Sequence, residues 1–322
     1  MPEKNIMEMV APDMSAVNQV IRAQLHSEVP LVNQISEYII SAGGKRIRPT
    51  LVLLVANTFT YSGKHHFDLA AIVEFIHTAT LLHDDVVDES SLRRGRQTAN
   101  ALFGNAASVL VGDFLYSRAF QMMVSIDSMR IMQILADATN VIAEGEVLQL
   151  LNMHDPDVTE TRYIEVIRSK TAKLFEAAGE IGALIAGASN DDIQRAGEYG
   201  RNLGTAFQLI DDVLDYSGNR EEIGKNVGDD LREGKPTLPL IYLMKNGTEL
   251  QKDLVRRCIE EGDETKFDAI LNAINESGAL DYARNAALKA ANAAQLAIAS
   301  FPDNEYCRAL HSLADFAVDR NH

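Results

Sequence analysis

The sequence predicts an all-α fold, a single large helical bundle spanning 1–322, and three observations carry that prediction. Its eight prolines are sparse, with none between Pro49 and Pro156 or between Pro156 and Pro236. Stretches that long without a helix breaker suit helices better than the short strands of a sandwich or barrel. Apolar residues recur at spacings of three and four through most of the chain, the period of a helix with one buried face. Strand-like alternation joined by Asn-Gly or Asp-Gly turns is absent. The one Asn-Gly, Asn246–Gly247, leads into Thr248-x-x-Gln251, a capping box that starts a helix.

In chain order, Gly43–Gly44 makes the first break, and Leu69–Asp88 follows as a helix with Ile72, Phe75, Ile76, Ala79 and Leu82 on its apolar face. Ser90–Gly95 breaks the pattern, and Phe114–Met123 resumes it. A break around His154–Pro156 precedes Ile164–Ala188 and Arg195–Tyr216, both helical in period. Ser217–Pro236 is the longest irregular stretch, with four glycines and mixed charge; loops of this length in compact domains often serve as lids. Leu280–Ala299 closes the series. No Ser/Pro/Gly linker, low-complexity tract or repeat divides the chain, so one domain is expected.

Composition narrows the function. The 322 residues carry 30 Lys+Arg against 46 Asp+Glu, a net charge of −16. Phosphate backbones need clustered cations, so no nucleic acid is expected as a partner. With 46% hydrophobic and 24% charged residues the chain has globular rather than disordered composition. The longest charge-free stretch, Gln97–Gly112, is polar and shorter than the roughly 20 apolar residues of a transmembrane segment. The first residues, MPEKNIMEMV, lack the basic start and apolar run of a signal peptide. Cys258 and Cys307 form no CxxC pair, which suits a reducing compartment. A cytoplasmic protein is expected.

Two acidic motifs stand out: His83-Asp84-Asp85-Val86-Val87-Asp88 and Gln208-Leu209-Ile210-Asp211-Asp212-Val213-Leu214-Asp215. Each is a DDxxD at the end of an apolar helical run. On a helix Asp84 and Asp88 share a face one turn apart, as do Asp211 and Asp215. Like charges so placed destabilise a helix, and apolar surroundings add a desolvation cost. A hard divalent cation relieves both, and Mg²⁺, which keeps water and phosphate oxygens in its shell, fits best. For either motif alone, a solvated acidic helix end is the alternative reading. The calcium-loop reading fails, because neither segment offers the glycine and alternating oxygen ligands of such a loop.

A pair of such carboxylate clusters bridged by divalent ions would hold a diphosphate, which also calls for cationic donors. Gly43-Gly44-Lys45-Arg46-Ile47-Arg48-Pro49 places three cations beside a glycine pair, and Arg93-Arg94 follows the first cluster. Ser169-Lys170-Thr171 and Gly234-Lys235-Pro236 add lysines at expected helix starts or loop ends, where backbone N–H groups also favour anions. Taken singly, each is an ordinary surface charge.

With these residues assembled, the chain resembles the trans-type polyprenyl diphosphate synthases. The matching segments are GGKRIRP (Gly43–Pro49), EFIHTATLLHDDVVDES (Glu74–Ser90), RRG (Arg93–Gly95), SKTA (Ser169–Ala172), GTAFQLIDDVLDY (Gly204–Tyr216) and GKPTLP (Gly234–Pro239). The resemblance implies an isoprenoid-synthase-like bundle around a deep central cavity, a homodimer, and two to three Mg²⁺ ions bound with diphosphate. It implies Asp84, Asp88 and Asp211 as metal ligands, with Asp85, Asp212 and Asp215 in support. Lys45, Arg48, His77 and Arg94 are implied as binders of isopentenyl diphosphate. Arg93, Lys170, Thr171, Gln208, Lys225 and Lys235 are implied on the allylic prenyl diphosphate. His83, on a different face, is expected to be structural.

The resemblance is nearest to bacterial synthases that build octaprenyl chains for quinone side chains. In that family, product length is set below the first aspartates, where this chain has Ala79 and Thr80. At 1.5 Å per residue they lie about 6–7.5 Å down the axis from Asp84. Small side chains there imply a long product, with Met123, and beside it Phe120 and Met122, as candidates for the cavity floor. A geranylgeranyl synthase and a non-catalytic partner subunit stay open as alternatives. A terpene cyclase fits less well, since the second motif carries aspartate at all three positions.

Overall fold

A computed structural model describes residues 3–41, 43–93, 95–217, 228–262 and 264–320. Of the described residues 81% are helical, as the sparse prolines and helical period predict. The elements in order are α1 (Glu3–Gln24), α2 (Pro30–Ser41), α3 (Ile47–Thr58), α4 (His65–Val87), β1 (Leu92–Arg93), β2 (Arg96–Gln97), α5 (Ala99–Phe103) and α6 (Asn105–Ser125). They continue with α7 (Met129–Asn152), α8 (Glu160–Ile167), a π turn (Arg168–Ala172), α9 (Lys173–Ile185) and α10 (Asn190–Ser217). The last are α11 (Asp229–Arg232), α12 (Leu238–Asn246), α13 (Glu249–Glu261), a 3₁₀ turn (Glu264–Lys266), α14 (Phe267–Ser277), α15 (Ala279–Ala297) and α16 (Glu305–Asp319).

The Cα packing forms two compact units. One comprises Met1–Thr139, Leu174–Gly200 and Ala297–Leu313; the other comprises Asn140–Lys173, Arg201–Leu296 and Ala314–His322. In the first unit, α4 packs on α1, α3 and α6. Leu51, Leu54, Leu69, Ile72, Phe75 and Phe175 are wholly buried there. Glycine allows α9 and the start of α10 to approach closely: a Cβ on Gly200 would lie 2.1 Å from the Phe175 carbonyl oxygen. In the second unit, α8, α10, α12 and α15 share a core that includes Tyr163, Leu209, Val213, Leu238 and Ala287. A neighbouring core gathers Tyr216, Leu231, Leu240, Val255 and Ile270.

The expected breaks are present, with three differences. Ser90–Gly95 is not a plain break: its Leu92 and Arg93 pair with Gln97 and Arg96 in a hairpin of two-residue strands, with Gly95 at φ +72° in the turn. Two-residue strands are too short to show alternation. Part of the irregular Ser217–Pro236 stretch is helical, as α11; residues 218–227 of it lie outside the described residues. Third, Ser169-Lys170-Thr171 is not a helix start but the middle of the π turn that joins α8 to α9. The capping box forms as expected, Thr248 Oγ1 accepting from the Gln251 N–H and Gln251 Oε1 from the Thr248 N–H.

Candidate active site

Each acidic motif stands with its own partners in one of the two units. In the first, α4 carries His77, Asp84 and Asp85, and Asp88 follows as its C-cap. Asp84 and Asp88 are half-buried, whereas Asp85 is fully buried. Arg93, on β1, explains that burial: its Nε and Nη2 lie 2.8 and 2.7 Å from Asp85 Oδ1. Burial works against the Arg93 charge, but Asp85, with Asp84 and Asp88, outweighs it and raises the guanidinium pKa above its ordinary value. The hairpin is also held by Asn100, whose side-chain amide donates to the carbonyls of Asp85 and Ser90.

The Gly43–Pro49 segment belongs to the same unit. Gly43 and Gly44 take φ +75° and +154°, conformations that favour glycine, and α3 starts two residues after Lys45. Arg48 Nη1 lies 3.2 Å from His77 Nε2, and its guanidinium stacks 4.3 Å over the Phe175 ring. Thus Arg48 and His77 come together, while Lys45 is half-buried nearby in sequence. His83 lies on another face as expected, its Nε2 3.1 Å from the Val109 carbonyl oxygen and 3.3 Å from Asp113 Oδ1. Arg94 lies outside the described residues.

The second unit holds the other motif in a hydrogen-bonded chain. The Thr171 hydroxyl donates to Gln208 Oε1 at 3.0 Å, and Gln208 Nε2 donates to Asp212 Oδ1 at 2.8 Å. The Tyr163 hydroxyl donates to Asp212 Oδ2 at 2.5 Å. Burial, and then the charges of Asp230 and Asp211, push the Asp212 carboxyl up to about 8 despite those two donors. Asp215, also buried, accepts from the Asp230 N–H at 3.3 Å. Asp211 is the open one, its side chain 43% exposed, with Oδ1 held 2.7 Å from Arg320 Nη2. Arg320 is fixed in turn by the Phe207 carbonyl at 2.9 Å and by stacking 3.6 Å over the Phe207 ring.

The π turn displays Lys170, whose Nζ lies 2.5 Å from Glu146 Oε2 on α7. Such bulges often mark functional positions, because the extra residue re-aims side chains along a helix. Gly145 on α7 makes room for it: a Cβ there would lie 2.7 Å from the Lys170 nitrogen. Lys235 pairs with Glu233, and its N–H donates to the Asp230 carbonyl at 2.8 Å. Lys225 lies outside the described residues. Of the residues implied in chain length, Ala79 and Met123 are buried and Thr80 donates to the His77 carbonyl at 2.7 Å. Phe120, in contrast to Met122 and Met123, is 37% exposed.

The donor chemistry fits a hard divalent cation. Asp84, Asp88 and Asp211 are oxygen donors that are not fully buried, while Asp85, Asp212 and Asp215 are occupied in holding neighbours. Among the described residues no group of three or more His, Cys, Asp or Glu side chains is gathered tightly enough to hold an ion. Carboxylate oxygens are the donors that hard divalent cations take, alongside water and phosphate oxygens.

Sequence reasoning did not single out Tyr163, Arg320, Glu146 or Glu74. Tyr163, Arg320 and Glu146 belong to no motif and Glu74 only opens the Glu74–Ser90 segment; each matters through a contact with a distant residue that the fold creates.

The chain matches the family model described as polyprenyl synthetase over residues 29–276. It is 54% identical over 318 residues to an octaprenyl diphosphate synthase of Haemophilus influenzae, covering 98% of this chain and 97% of that one. Identity to the octaprenyl diphosphate synthase of Escherichia coli is 53% over 319 residues, 99% of each chain. A polyprenyl synthase from Caulobacter crescentus, solved with calcium and isoprenyl diphosphate, superposes with a TM-score of 0.96 at 46% identity, covering 100% of this chain and 98% of that one.

Proposed function

This chain belongs to the polyprenyl synthetase family and is a prenyltransferase that elongates trans prenyl chains; within it, we propose a Mg²⁺-dependent octaprenyl diphosphate synthase. It adds isopentenyl diphosphate stepwise to an allylic diphosphate, farnesyl diphosphate being the expected primer. The identity of more than half to two octaprenyl diphosphate synthases supports the length, and the small Ala79 and Thr80 are in keeping with it. The product would furnish the side chain of a quinone. Residues 1–322 are read as one synthase domain.

The observation that carries the reading is the arrangement of acids and cations at each motif. Lys45, Arg48, His77 and Arg94 bind the isopentenyl diphosphate as anion donors, with Phe175 holding the Arg48 plane. Arg93, Lys170, Lys225 and Lys235 bind the allylic diphosphate; Lys170 and Lys235 are kept by Glu146 and Glu233 until an anion replaces those partners. Asp84, Asp88 and Asp211 would hold two to three Mg²⁺ ions, which would supply stabilisation of the charge on the leaving diphosphate. Asp85 aims Arg93, while Tyr163 and Gln208 fix Asp212. The Thr171 hydroxyl and the Gln208 amide oxygen offer dipoles to a developing allylic cation without a strong nucleophile. Apolar surroundings would keep out water that would quench it. The proton lost after carbon–carbon bond formation goes to the released diphosphate.

Two further parts follow. A homodimer is proposed, with Leu110, Phe120 and Val124 on α6 as an exposed apolar stripe that a second copy would cover. A cytoplasmic location is proposed; both cysteines are free and buried, as a reducing compartment allows.

Steady-state kinetics of Asp84→Ala and Asp211→Ala tests the assignment. Each should lower turnover by several orders of magnitude, of the scale expected for lost transition-state charge stabilisation, with the thermal midpoint little changed. Near-normal rates in Mg²⁺ would refute the metal assignment.

A further inference from the structure

Arg46 stands between Lys45 and Arg48, yet its side chain turns to α4. Its Nη1 lies 2.6 Å from Glu74 Oε1, and the two side chains are 15% and 13% exposed. Its backbone is left-handed, φ 50° and ψ 34°, although it is not glycine. Such a conformation persists only where the surroundings over-determine it, and a partly buried ion pair does so here. The Arg46 carbonyl accepts the first helical bond of α3, from the Thr50 N–H at 3.0 Å. The dihedrals of Arg46 therefore set the direction in which α3 leaves the Gly43–Gly44 turn, and with it the place of Arg48.

Glu74 lies three residues before His77 on α4, so the two share a helix face. One face thus meets Arg46 through Glu74 and Arg48 through His77. We propose that Glu74 is a positioning residue for isopentenyl diphosphate: it ties down Arg46, keeps that cation out of the anion site, and presents Lys45 and Arg48 together to the diphosphate. Arg46 is a strut rather than a third anion donor. This inference rests on the reading of Lys45, Arg48 and His77 given above.

Isopentenyl diphosphate alone cannot react, so its binding to the full-length protein can be measured by calorimetry without turnover. Glu74→Gln should weaken that binding roughly ten- to hundredfold through misplacement of the donors, while KM for farnesyl diphosphate stays within about twofold. Glu74→Asp, which keeps the charge, should recover part of the loss. Arg46→Ala, which removes the ion pair, should show the same selective loss and keeps the test available if Glu74→Gln does not fold, while Arg46→Gly should lose less, because glycine takes the left-handed conformation freely. Unchanged isopentenyl diphosphate binding in these variants would overturn the inference, as would an equal loss for both substrates. Arg48→Ala separates the two levels. If it alone loses binding, only the role of Glu74 fails; if it binds as the wild type does, the anion site itself is misassigned and the inference falls with it.

Discussion

At Asp212 the price of burying a carboxylate is visible in one residue. Its side chain is buried beside Asp230 and Asp211, and its carboxyl is pushed up to about 8. A carboxyl whose folded pKa exceeds its unfolded value of about 4 favours the fold most when protonated. In the metal-free protein its contribution is therefore complete below about pH 4 and is lost as pH rises toward 8. Asp212→Asn, neutral at every pH, should gain stability relative to wild type across that window, by at most about 1.4 kcal/mol per pH unit. Thermal or denaturant unfolding of both proteins from pH 5 to 8 in chelator checks this; a constant difference would contradict it. The aspartates were legible in the sequence because DDxxD puts like charges on an apolar helix. Their division of labour was not: only tertiary contacts show that Asp85 is buried against Arg93 and Asp212 against Tyr163, whereas Asp211, paired with Arg320, keeps a side chain 43% exposed.

Among the elements, α4 and α10 were readable from apolar spacing, since their buried faces repeat over several turns. The π turn was not, because Arg168–Ala172 has the composition of an uninterrupted helix and its extra residue leaves no mark on local pattern. What accommodates the turn is a neighbour, Gly145, where a Cβ would come within 2.8 Å of the Ser169 side chain. Gly145→Ala should cost about 1–3 kcal/mol through overpacking and raise KM for the allylic diphosphate, by displacing Lys170 and Thr171. Unfolding curves and KM for both substrates would show it; an unchanged allylic KM would mean that the turn's position does not set the Lys170 contact. On α4, Ala79 is wholly buried below the first motif. Ala79→Tyr should shift products sharply toward short chains if the growing prenyl tail passes this position. A product ladder identical to wild type would place the chain elsewhere.

For the molecule as a whole, the helical class followed from sparse prolines and a pervasive helical period, and these hold over the described residues. The hairpin at Leu92–Gln97 and α11 did not, since elements of two to four residues are stabilised by the contacts of Asp85, Asn100 and Asp215 rather than by their own sequence. In the proposed reaction, divalent cations and cationic side chains hold diphosphate while a prenyl chain grows. The most direct test is to incubate the pure protein with Mg²⁺, farnesyl diphosphate and labelled isopentenyl diphosphate, with and without excess chelator, and to read product length. All-trans chains ending mainly at octaprenyl diphosphate are expected, and none with chelator. Chains stopping at geranylgeranyl diphosphate would contradict the length assigned here, and no condensation in Mg²⁺ would contradict the claim itself.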